Sequence, residues 1–348
     1  MQQPYYYNPY DNQQSPLNTQ SNQNSPEIEY FMHNLKIQKQ KSEILKLGLL
    51  LGAGVMGYVI VATIASTVLL LTDNYDRYLN DSSFQSCFNI LASSFMGIAV
   101  PFGIIALFMR KKYTVPIVPM EKVGKGKSFL WICFGMLACM LANIVTNYVI
   151  EISELLGYKL NYPEMAPIDS AFGCVLSLIG LAIMPAVCEE FAMRCCALGL
   201  LRKHGKAFGI IAISIVFGLL HGNVIQFVFA FLVGVILAYI TIKTNSVLPA
   251  IIIHACNNGL SVVQDVATYL IDEGSGETIA NAFIVFWMIS GAIAFFILLV
   301  KKELFIKEEQ KSEEDVLPLG KKLLYLLPGL ALPLLYLLVT TISTIEKL

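Results

Sequence analysis

From residue 47 onward the chain alternates long apolar runs with short polar loops. A helix that crosses a bilayer needs about 20 residues, predominantly apolar. Nine runs reach or approach that length, at 47–71, 87–109, 129–150, 170–201, 207–222, 224–242, 247–270, 279–300 and 323–343. The pattern predicts an all-α fold, a polytopic transmembrane helical bundle of about nine spans. The fifth and sixth runs are short and meet at the tight corner HGNVIQ, so full crossing is not expected of both. Ahead of the first run, residues 1–34 are rich in Gln, Asn, Pro and Tyr and show no apolar periodicity. Such a segment buries too little surface to order itself and is predicted to be a disordered tail.

Composition agrees with the pattern. Hydrophobic residues make up 56% of the 348 and charged residues 14%, against about 25% charged in soluble domains. The formal net charge of −1 gives no basis for a nucleic-acid partner. The first 43 residues hold no apolar run of the signal-peptide kind. All eight cysteines fall in apolar runs without a CxxC pair, which suits small buried hydrophobes and argues against zinc held by thiolates.

Loop charge orients the bundle. Lys36, Lys39, Lys41 and Lys46 precede the first run, and Arg110, Lys111, Lys112, Lys122, Lys125 and Lys127 follow the second. Arg202, Lys203 and Lys206 follow the fourth, Lys243 the sixth, and Lys301, Lys302 and Lys307 the eighth. The alternate loops, DNYDRYLNDSS, EISELLGYKLNYPEMAPID and IDEGSGET, are acidic or neutral. With nine spans every basic loop falls on one side. By the positive-inside rule that side is cytoplasmic, with the N-terminus in and the C-terminus out.

Three apolar runs are interrupted by groups that lipid does not welcome. CEEFAMRCC places Glu189, Glu190 and Arg194 within six positions, FGLLH ends at His221, and HACNN runs from His254 to Asn258. A central charge costs about 2.5–3.5 kcal/mol even on lenient insertion scales. At the helical rise, Glu189 and His221 lie about 20 and 22 Å from their basic loops, and His254 and Asn258 about 12 and 18 Å from theirs. Three helices therefore bring polar groups to overlapping depths. Glu190 and Arg194 stand at i,i+4 and suit an internal ion pair. Glu189, turned about 100° from Glu190, points into a different space. His254 and Asn258 share a face, and Phe217 forms a wall behind His221. Pro185, four residues before Glu189, either kinks the run and frees a carbonyl near the site or makes a packing bend. A membrane histidine by itself is equally a bond to a neighbouring helix.

In order, EEFAMR, FGLLH and HACNN match EExxxR, FxxxH and HxxxN, and residues 170–262 resemble the CPBP family, the CAAX proteases and bacteriocin-processing enzymes also called Abi. The chain is expected to divide into a disordered Gln/Asn-rich cytoplasmic tail (1–43), N-terminal membrane helices (44–165), a catalytic core (166–275) around the stretch of the resemblance, and C-terminal membrane helices (276–348). The resemblance implies an intramembrane endopeptidase with a conical catalytic cavity opening to the cytoplasm. Glu189 and His221 would activate the attacking water, His254 and Asn258 would hold the oxyanion, and Glu190 and Arg194 would support the site. Peptide hydrolysis needs such oxyanion donors, each worth about 10²–10³ in rate. No cofactor is required in this form. Zinc or another divalent metal on Glu189, His221 and His254 is the alternative, disfavoured because no HExxH is present.

The expected partners are the lipid bilayer and a membrane-associated peptide or protein substrate, and the expected location is a plasma membrane, taken as bacterial. Two other functions compete. One is a non-catalytic bacteriocin-immunity or membrane scaffold protein on the same fold. The other is a proton-coupled transporter using Glu189 and His221 as a relay, for which no inverted repeat is visible.

Overall fold

A computed structural model describes residues 26–110, 119–163, 165–305 and 315–348. Among these residues the nine apolar runs all lie in helices: α1 (Pro26–Leu71), α2 (Ser82–Met109), α3 (Lys125–Leu155), α4 (Ala171–His204), α5 (Lys206–Leu219), α6 (Val224–Thr244), α7 (Leu248–Leu270), α8 (Glu273–Val300) and α9 (Leu319–Ile342). The protein is all-α, and seven of the nine are long and apolar enough to cross a membrane. The expected count of nine is therefore not established. The two exceptions have different causes. α5 has 14 residues, about 21 Å at the helical rise, and stops at the corner before His221. α7 has 23 residues but carries His254, Asn257, Asn258, Gln264 and Asp265 on an otherwise apolar helix.

One boundary differs from the expectation. Residues 26–43, placed in the disordered tail, are helical and continuous with the first span. Pro26 sits where a helix tolerates a missing N–H, and Glu27 and Glu29 in the first turn complement the dipole. Ile28, Phe31, Met32, Leu35 and Ile37 recur at helical spacing among the polar residues. Gln40 fixes this extension by donating to Asp315 and accepting from the Val316 and Leu317 amides. Residues 1–25 lie outside the described residues.

Contacts sort the loops into two ends. At one end Lys203 pairs with Glu43, Lys127 with Glu303, Lys322 with Asp315, and Asn245 bridges Arg202 and Glu121. These are the basic loops of the sequence. At the other end Ser82 donates to Asp169, and the Ala166 amide donates to Gln85. There β1 (Tyr158–Leu160) pairs antiparallel with β2 (Ile345–Lys347), with Lys159 opposite Glu346. The start of the first span and the last residues thus sit at opposite ends, as an odd number of passes requires.

Two apolar cores hold the helices. One joins α1, α2, α4, α5 and α9 through residues such as Leu47, Phe102, Met193, Phe208 and Leu330. The other joins α3, α6, α7 and α8 through Trp131, Met136, Leu237, Ile253 and Leu298. Around them the outer surface is apolar, with Leu107, Phe108, Phe296 and Leu332 all exposed, as a lipid-facing surface requires. α1 and α9 approach backbone to backbone. A Cβ added at Gly52 would land on the Gly329 carbonyl, and one at Gly329 on the Gly48–Leu49 peptide. Small residues permit this kind of contact between membrane helices. Gly52→Val is expected to lower the melting temperature in detergent by more than ordinary overpacking, which costs about 1–3 kcal/mol, because a backbone carbonyl cannot turn aside. An unchanged melting temperature would refute this packing role.

Candidate active site

The polar groups meet where the two apolar cores adjoin, and α4 supplies three of them. Its course is not uniform: wider π turns cover Leu178–Ile183 and Phe191–Ala197, on either side of the α-helical Met184–Glu190. Such insertions concentrate at functional sites in helices. Pro185 lies in the α-helical piece and has no N–H to give the carbonyl four residues back, that of Leu181. The Asn258 side-chain amide donates to that carbonyl at 3.3 Å. The freed carbonyl expected from Pro185 is thus the group that anchors α7 to α4.

Glu190 and Arg194 form the expected ion pair, with Nε 3.0 Å from Oε2 and both side chains 0% exposed. Arg194 also donates from Nη2 to the Gly234 carbonyl at 3.4 Å and lays its guanidinium 4.7 Å over the Phe217 ring. The other Glu190 oxygen accepts from His254 Nδ1 at 2.9 Å. That bond turns His254 Nε2 toward Glu189, 3.8 Å from its Oε2. Glu189 keeps 16% exposure and lines a cavity of 680 Å³. Its Oε2 is buried and has no hydrogen-bond partner among the described residues. The adjacent carboxylates are therefore separated as their 100° offset requires: one locked between Arg194 and His254, the other facing a cavity.

His221 is on the cavity wall at the α5–α6 corner. Its Nδ1 lies 2.9 Å from the Phe217 carbonyl. A carbonyl only accepts, so Nδ1 carries the proton and Nε2 keeps its lone pair. Asn223 caps α6 by accepting from the Gln226 amide and also donates to the His221 carbonyl, which fixes the corner. Gly222, with φ of +67°, takes the turn that a side chain would resist. Phe217 packs edge-on against both imidazoles, at 5.1 Å from His221 and 5.9 Å from His254.

Two placements depart from expectation. His254, expected to present its tip to the cavity beside Asn258, is absent from the cavity lining and lies behind Glu189, drawn there by the two carboxylates. The metal candidates Glu189, His221 and His254 do not converge: among the described residues no three His, Cys, Asp or Glu side chains form a group able to hold an ion. The His221 Nδ1 bond and the Phe217 ring, in contact with both imidazoles, set that spacing.

Other residues join the site without having been singled out. Tyr58 of α1 lines the cavity and donates to the Leu220 carbonyl at 3.0 Å, tying the first span to the His221 corner. Along α7 the cavity wall continues from Asn257 and Asn258 through Ser261 to Gln264 and Asp265. These positions repeat at three- and four-residue steps from His254, a polar stripe present in the sequence beyond the HxxxN motif. The remaining lining includes Tyr162, Pro163 and Met165 of the loop after α3, and nothing from 190–216 or 230–256 among the described residues. The cavity therefore occupies the half of the bundle away from the basic loops.

Residues 171–260 match the family model of the Rce1-like type II CAAX prenyl endopeptidases. No curated protein and no solved structure matches the chain. The matched stretch covers α4, α5, α6 and the first half of α7, and so contains Glu189, Glu190, Arg194, His221, His254 and Asn258. Over residues 171–260 this membrane protein is thus similar to the CAAX proteases that its three motifs resemble.

Proposed function

We propose that the protein is an intramembrane endopeptidase that hydrolyses a peptide bond of a membrane-associated protein or peptide with water activated at Glu189. The observation that carries this reading is the contrast between the two glutamates. Glu190 is fully buried, with Arg194 Nε 3.0 Å from one oxygen and His254 Nδ1 2.9 Å from the other, whereas Glu189 keeps 16% exposure and its side chain lines the cavity.

In this reading Glu189 removes a proton from water as its oxygen attacks the substrate carbonyl carbon. His221, with its Nε2 lone pair on the same cavity, helps to orient that water. The carbonyl oxygen becomes an oxyanion, to which the Asn258 amide donates the N–H that it does not give to Leu181. The proton held by Glu189 then passes to the leaving nitrogen, the C–N bond breaks, and a carboxylic acid and an amine are released. His254, held at Nδ1 by Glu190, is a positioning residue behind Glu189.

The test compares peptides from cells producing wild type with those producing Glu189→Gln, the expected result being cuts made by wild type alone. A complete absence of such cuts would return the protein to the immunity or scaffold class. Asn258→Ala removes one donor and is expected to lower kcat about 10²–10³-fold, the usual scale for an oxyanion contact, with KM little changed. Steady-state kinetics on a peptide so identified decides this. The reaction needs no metal in this reading, so exhaustive chelation is expected to leave cleavage intact. Loss of activity on chelation, restored by zinc, would replace it with a metal mechanism.

A further inference from the structure

We infer that Tyr58, on the first span, is a positioning residue for the hydrolysis, its hydroxyl holding the peptide unit that carries His221 so that the imidazole stays on the cavity with Glu189. The inference rests on the endopeptidase reading and adds to it a residue outside the matched stretch 171–260.

The corner after α5 shows where outside help is needed. The last four carbonyls of a helix have no partner within it. Here the Val216, Gly218 and Leu219 carbonyls accept from the Leu220, His221 and Gly222 amides, and that of Phe217 lies 2.9 Å from His221 Nδ1. The next carbonyl, that of Leu220, is met from another helix, by the Tyr58 hydroxyl at 3.0 Å.

That bond acts on His221 directly, because a peptide unit is planar. The Leu220 carbonyl and the His221 N–H belong to one plane. Tyr58 holds one edge of it and the Gly218 carbonyl, at 3.2 Å, holds the other. The following plane, from the His221 carbonyl to the Gly222 N–H, is held by the Asn223 side chain and the Leu219 carbonyl. Both planes that meet at the His221 Cα are therefore pinned, which fixes its backbone dihedrals. The Nδ1 bond to Phe217 fixes the ring. Of these bonds, the one from Tyr58 originates outside residues 216–223.

The phenol ring is itself confined. It packs against the core that joins α1, α2, α4 and α5, and α2 passes close behind it at Gly97. A Cβ added at Gly97 would lie 3.0 Å from the Ala92 carbonyl oxygen and 3.3 Å from the Tyr58 ring. Tyr58, Glu189 and His221 line one cavity. A misplacement of about 1 Å in a catalytic site can cost about 10²-fold in rate. A hydroxyl that pins the His221 peptide therefore bears on turnover without touching the substrate.

Tyr58→Phe removes the hydroxyl and keeps the ring. The first readout needs no substrate: ¹⁵N spectra of protein labelled at histidine, with His221 assigned by its loss in His221→Gln. Wild type is expected to show His221 as a single tautomer protonated at Nδ1, and Tyr58→Phe a mixture in which the Nε2-protonated form grows. The second readout is steady-state kinetics on a peptide that wild type cuts, where kcat is expected to fall about 10–10²-fold with KM unchanged. Melting temperature in detergent is expected to stay near that of wild type. Tyr336→Phe, which loses an exposed hydroxyl contact with Thr63, is expected to leave spectrum and kinetics unchanged. If Tyr58→Phe does not accumulate, Gly97→Ala keeps the hydroxyl but crowds the ring, and is expected to give the same mixture of tautomers. A single Nδ1-protonated tautomer in the variant, or a wild-type kcat, would overturn the inference. Absence of any wild-type-only cut removes the endopeptidase reading, and the spectrum then decides alone whether Tyr58 holds His221.

Discussion

Glu189→Gln is expected to lower the cleavage rate about 10²–10⁴-fold, the loss typical when a general base is removed, while the melting temperature stays at the wild-type value. The amide has the shape of the carboxyl group and cannot accept the proton of water. Stability is expected to hold because Glu189 Oε2 makes no hydrogen bond among the described residues. His254 Nε2 is 3.8 Å away, beyond hydrogen-bond distance. The change should therefore appear in kcat and not in KM, the signature of an interaction used in the transition state. Near-normal turnover by the purified variant would exclude Glu189 as the base.

Much of this site is legible in the sequence because lipid makes polar groups conspicuous. Glu190 and Arg194 at i,i+4, and Glu189 turned away from them, follow from helical geometry alone, and the structure places them so. The freed Leu181 carbonyl follows equally from Pro185, but its partner does not. That Asn258 takes it depends on how α7 packs against α4. Helical counting places His254 several ångströms shallower than Glu189, yet the two side chains meet. The π turns of α4 make up part of that offset, and no single-residue signal marks them. Tyr58 was hidden for a different reason, since one tyrosine in an apolar span reads as ordinary packing. The α1 extension from Pro26 was obscured by composition: Gln, Lys and Glu dominate the segment, and the apolar residues at helical spacing become informative only once Gln40 has Asp315 to hold. The side of the cavity could not come from motifs at all. It required knowing which halves of α7 and α8 face Glu189.

Arg194→Ala is expected to be the most destabilising single change at the site, costing about 3–5 kcal/mol, as breaking one partner of a buried ion pair does. Glu190 would keep His254 as its only side-chain partner among the described residues and hold a buried charge that Arg194 now meets at 3.0 Å. The guanidinium contacts with Phe217 and the Gly234 carbonyl go as well. Glu190→Gln strands the opposite charge and should fall in the same range. The double variant Glu190→Gln/Arg194→Met separates pairing from chemistry. It removes both charges together, and neutral replacement of a buried pair is often tolerated. The side-chain carbonyl oxygen of the introduced amide still accepts from His254 Nδ1, so melting temperature and yield should recover in part. Turnover should not recover, because an amide holds His254 Nδ1 less firmly than the carboxylate does and so loosens His254 behind Glu189. A stable, well-expressed Arg194→Ala protein would show that the pair is not what holds α4 together at this depth. Full activity in the double variant would show that Glu190 does nothing through His254.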